Sequence, residues 1–161
     1  MWSTPMEIQK CRIDVLSTKL TRSKDFYVNC GGHAFGVEGW YTPANHEDLY
    51  WDFRAASRNK GGWRKLERKF VKYILHDFPE LQIISYEDIS NLSIDLDKYE
   101  IIAFRIKRTI FGDYHFMRCE RNGEWTEKRG TGKIYRHNYE DIYDIWEEYN
   151  GKLYFFKRER K

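Results

Sequence analysis

Pro79 divides this 161-residue chain into two hydrophobic periods. Upstream, Leu66, Phe70, Ile74 and Phe78 recur every four residues, and Val71 and Leu75 widen the stripe. That spacing predicts a helix over 64–77 that buries one face and stops before the proline. Downstream the period shortens. Residues 81–86 and 100–107 are strand-like, the second apolar through Ile101-Ile102-Ala103-Phe104. Segments 114–121 and 124–129 flank Asn122-Gly123, a strong hairpin signal, and a last strand is expected over 151–157. Helices first and mostly antiparallel strands afterwards can bury their apolar faces by packing the helices on one sheet, so the expected class is α+β.

The remaining elements are less sharply marked. A short element of undefined type occupies 6–20. Asn45, with Asp48 three residues on, suits the N-cap of a helix carrying Leu49, Phe53 and Ala56 inward, and Asn59-Lys60-Gly61-Gly62 ends it. A short acidic and aromatic helix is expected over 138–149, with Ile142, Ile145, Trp146 and Tyr149 inward. No repeat or low-complexity linker interrupts the chain, so residues 1–161 read as a single domain with length enough for its own core.

Composition excludes more than it selects. With 41% hydrophobic and 33% charged residues and a net charge of +3, the positive side chains are interspersed with acids. Only Lys157-Arg158-Glu159-Arg160-Lys161 forms a basic run, which suits a solvated terminus better than a nucleic-acid patch. No apolar segment matches a secretory signal or a membrane span, and the three cysteines, Cys11, Cys30 and Cys119, have no metal-type spacing. Reduced thiols in the cytoplasm are the simplest expectation, with no cofactor and no membrane partner.

The chemistry is concentrated in two stretches, Asn29-Cys30-Gly31-Gly32-His33 and Gly112-Asp113-Tyr114-His115. Cys30 stands at a loop-to-helix junction among polar and glycine residues, whereas Cys119 lies mid-strand and reads as structural. A thiol attacks as thiolate; oriented N–H groups at a helix start and a neighbouring imidazole both favour that form. Cys30 is therefore the candidate nucleophile and His115, at a strand start, the candidate general base. The N–H of Cys30 would face the oxyanion, with Asn29 or Ser23 as the second donor. His33 is expected to pack, His46 and His76 to lie on the surface, His137 to lie in a loop, and Trp40 to wall a substrate groove. The glycines after Cys30 allow a substrate or another backbone to pass close to the sulfur. The mechanism needs sulfur and imidazole in contact within an open cleft.

Asn29-Cys30-x-x-His33-Ala34 with Trp40 and Pro43 resembles the cysteine segment of papain-like hydrolases of the bacterial NlpC-like and amidase branch. Asp113-Tyr114-His115-Phe116-x-Arg118 and Gly123-x-Trp125-Thr126-Glu127-Lys128-x-Gly130 resemble the histidine strand and the strand after it. The resemblance spans about 26–132 and implies a papain-like fold that cleaves, deamidates or transfers at an amide of a protein or peptide through a Cys thioester, without metal. It also implies a third residue orienting the histidine, at Glu127, where related sequences often carry histidine or asparagine. Hairpin geometry bears on that role. A two-residue turn places Thr126 and Lys128 on the face of His115; a three-residue turn with a left-handed glycine places Glu127 there. A carboxylate can accept from imidazole and lysine cannot, so Glu127 is the expected orienting group. The competing expectation is a non-enzymatic module on the same scaffold, an inhibitor or adaptor of phage or toxin type.

Overall fold

The computed structural model describes residues 6–8, 28–37, 40–43, 49–90, 94–128, 134–137 and 149–161. Its strands are β1 (Met6–Ile8), β2 (Gln82–Ile84), β3 (Tyr99–Ile106), β4 (Tyr114–Cys119), β5 (Trp125–Lys128), β6 (Ile134–His137) and β7 (Tyr154–Glu159). They form one sheet in the order β1-β6-β5-β4-β3-β7-β2, and every described pairing is antiparallel. The helices are α1 (Cys30–Phe35), α2 (Leu49–Arg58), α3 (Gly62–Asp77) and α4 (Tyr86–Ser90). The class is α+β. Among the described residues no helix is long and apolar enough to cross a membrane.

The apolar run of β3 has a direct cause. Ile102, Phe104 and Ile106 pack with Phe35, Phe53, Phe70 and Ile74 beneath the helices, while Ile101 and Ala103 pack with Met117, Cys119, Trp125 and Phe155 on the other side. A strand buried on both faces has no solvent side to make polar. α3 buries Leu66, Phe70, Val71 and Ile74 as its spacing predicts, together with Glu67. That carboxylate binds Arg108 Nη2 at 2.6 Å and accepts from the Lys152 N–H at 2.7 Å, which anchors the chain before β7 to the helix.

The hairpin after β4 takes the three-residue form. Gly123 has φ +87°, Glu120 and Glu124 close the loop, and the register pairs Arg118 with Thr126 and Cys119 with Trp125. Glu127 therefore shares the face of His115.

Three expectations change. His137, expected in a loop, ends strand β6, which is seated between β1 and β5. The basic run at 157–161 is not a solvated tail: Arg158 lies in β7 opposite Glu100 and is ion-paired to it, and Arg160 Nε donates to Leu96 O. Residues 6–8 of the undefined first element form β1. The Asn45 cap and the helix over 138–148 lie outside the described residues.

Candidate active site

α1 begins where its sequence says a helix should. Asn29 is the N-cap: its Oδ1 accepts from the Gly32 N–H at 2.8 Å, and the first helical bond runs from His33 N–H to Asn29 O. The same Oδ1 accepts from the Tyr41 N–H at 2.9 Å, and Nδ2 donates to Tyr41 O at 2.9 Å. Asn29 thus straps the 40–43 segment to the helix start. Gly31 completes the fit, since a Cβ on it would stand 2.8 Å from Tyr41 O. The backbone that the glycine admits is that of Tyr41.

This capping places Cys30 as the first residue of α1, with its thiol near enough to the His115 imidazole of β4 to bear on its charge. On β5, Glu127 Oε1 lies 3.3 Å from His115 Nε2. The other oxygen, Oε2, lies 2.5 Å from Nε2 of His137 on β6. The Tyr149 ring covers His115 at a centroid distance of 5.4 Å. Arg105, opposite His115 on β3, donates through Nε to Gly151 O at 2.5 Å.

The electrostatics follow from these contacts. Burial pulls the His115 pKa down, but hydrogen bonds and charge from Cys30 and Glu127 outweigh it and push it up to about 10. The imidazole is thus held protonated at neutral pH. Cys119, packed among apolar side chains of the second cluster, is pushed up to about 12 by burial. Burial likewise raises Tyr114, beside Cys30, to about 12.

Cys30, His115 and Glu127, singled out in the sequence, are brought together. Asn29 is adjacent but acts as cap and strap. Trp40 is 62% exposed. Ser23, Cys11 and His46 lie outside the described residues. His33 packs as expected, its Nε2 2.9 Å from Thr126 Oγ1, which in turn donates to Glu120. The pair is not open to solvent: Cys30 and His115 are each 6% exposed, and a cavity of about 750 Å³ lies instead at the far end of α1. His137 was missed altogether; only the alternation of Ile134-Tyr135-Arg136-His137 hinted at a strand that could deliver it. Among the described residues no group of three or more His, Cys, Asp or Glu is arranged to hold a metal ion.

The far end of α1 is held by arginines. Arg118 Nη1 donates to Ala34 O at 3.3 Å and Arg158 Nη2 to Phe35 O at 2.6 Å. Both guanidiniums are anchored on the buried Glu100 carboxylate, at 3.0 and 2.5 Å. Two cations facing the last carbonyls complement the helix dipole and satisfy acceptors the helix cannot.

Comparison of the chain with protein-family models, curated proteins and solved structures finds no match.

Proposed function

We propose that this chain is a cysteine hydrolase or acyl-transfer enzyme of papain-like type acting on an amide bond of a protein or peptide. One observation carries the reading: the thiol that opens α1 lies beside an imidazole backed by a buried carboxylate. A catalytic cysteine needs that environment and a packing cysteine does not. The resemblance at 26–132 supports it independently of the geometry.

In the proposed reaction, Cys30 Sγ as thiolate adds to the carbonyl carbon, and the oxyanion meets the backbone N–H of Cys30. The His115 imidazolium gives its proton to the leaving nitrogen as the C–N bond breaks, leaving a thioester. A water then loses its proton to His115, adds to the thioester carbon and expels the sulfur. An amine in place of water gives acyl transfer, and a glutamine side chain as the acyl donor gives deamidation. Glu127 keeps the imidazole turned toward the sulfur and balances its charge through both steps. The free thiols suit a reducing compartment such as the cytoplasm.

The burial of Cys30 favours a second reading, a binding module that keeps the dyad as a structural ion pair. Iodoacetamide separates the two. An enzyme alkylates at Cys30 at least tenfold faster than at Cys119 in the folded chain, and Cys30→Ala loses its biological effect while keeping its fold. Equal, slow labelling with an unchanged effect in Cys30→Ala supports the module and sinks the enzyme.

A further inference from the structure

We propose that His137 is a positioning residue: it fixes one oxygen of Glu127 so that the other faces His115 and holds that ring against Cys30. The inference rests on reading Cys30 and His115 as the reacting pair. Glu127 stands between two imidazoles on two different strands, Oε1 toward His115 at 3.3 Å and Oε2 toward His137 at 2.5 Å. β4 and β6 are not neighbours, because β5 runs between them. His137 lies two residues beyond the Tyr135 that pairs with Glu127. On the other side, His115 lies two residues beyond position 117, the next step of the ladder after Arg118–Thr126. Both contacts are therefore diagonals, a reach that long side chains span across a ladder.

The chemistry of the second contact is defined by burial. His137 is 4% exposed, and its Nδ1 has no hydrogen-bond partner among the described residues. An N–H buried without an acceptor is costlier than a lone pair, so the proton belongs on Nε2, where it is donated to Glu127 Oε2. A carboxylate engaged at one oxygen alone can turn about its last bond. Engaged at both, it cannot leave His115 without breaking the contact to His137. The charged and titratable groups around His115 are Cys30 from α1, Arg105 from β3, Glu127 from β5 and Tyr149 over the ring. Of these, Glu127 is the one His137 touches directly.

The test compares wild type with His137→Leu, which removes the donor, and His137→Gln, whose amide nitrogen replaces ring Nε2. His115 is titrated by NMR of the imidazole, and Cys30 alkylation by iodoacetamide at pH 7 is followed on its peptide. In His137→Leu the His115 midpoint falls by about one unit and Cys30 alkylation slows about tenfold. His137→Gln restores most of both. Fast wild-type alkylation that is unchanged in His137→Leu overturns this inference and leaves the reacting pair standing. Equal losses in both variants also overturn it, because packing alone then explains the effect. A wild-type Cys30 no more reactive than Cys119 overturns the reacting pair, and this inference with it.

Discussion

The two ends of α1 are both buried among ionisable groups, yet they are built for opposite ends. At the C-terminal end, Arg118 and Arg158 each meet Glu100, a second carboxylate (Glu120 and Glu80 respectively) and a helix carbonyl. Each cation there answers a fixed charge or dipole, and nothing is left to react. At the N-terminal end a buried imidazole holds its proton well above the usual range, between a nearby thiol and a carboxylate across the sheet. Burial and charge alone therefore do not mark a candidate site. A strongly perturbed group among side chains that can do chemistry does.

Breaking the far end has the largest effect, and the effect is on folding. Glu100→Gln removes the carboxylate that two buried guanidiniums share, leaving each only Glu120 or Glu80, and is expected to cost about 3 kcal/mol in urea unfolding. The Cys30 alkylation rate of the molecules that remain folded changes little. A mild loss of stability with a large loss of thiol reactivity would invert the comparison. Breaking the near end acts the other way. His115→Gln is expected to slow Cys30 alkylation at pH 7 about a hundredfold.

The pH dependence sharpens the contrast. The folded-state pKa of His115 is raised from 6.5 to about 10, so the folded protein holds that proton more tightly than the unfolded chain. The stability this contributes is complete below about 6.5 and is lost as pH rises toward about 10. The urea midpoint should fall across that window more steeply in wild type than in His115→Gln. Parallel curves would show that the proton is not held by the fold.

Smaller effects bound the site. Asn29→Ala removes the cap of α1 and the Tyr41 strap, an expected loss of about 1–2 kcal/mol by thermal or urea unfolding. Trp40→Ala should change stability by less than about 0.5 kcal/mol, since the ring is exposed. A fall in activity without such a change would make Trp40 a substrate contact after all.

What the sequence disclosed and what it withheld have separate physical causes. Cys30 and His115 were legible because each sits in a local context that packing does not explain: a glycine-rich helix start and a polar strand start. Glu127 was half legible. Asn122-Gly123 permits two loops that put opposite residues beside the histidine, and the left-handed Gly123 decides between them. His137 was hidden because its partner lies on the neighbouring strand and a four-residue strand has too short a pattern to announce itself. The run Arg158-Glu159-Arg160 read as a tail because its counter-ion, Glu100, lies across a ladder that only the register reveals. Asn29 carries a role that the rule for helix caps already predicts from its place before Cys30.

The carboxylate shared between two imidazoles ties the assembly of this cluster to the completion of folding. Three consecutive strands must be aligned before Glu127 can hold both rings, and the helix bearing Cys30 must already be docked. A nascent or partly unfolded chain thus lacks the cluster altogether: its two imidazoles and their carboxylate meet only when the last of those strands has closed.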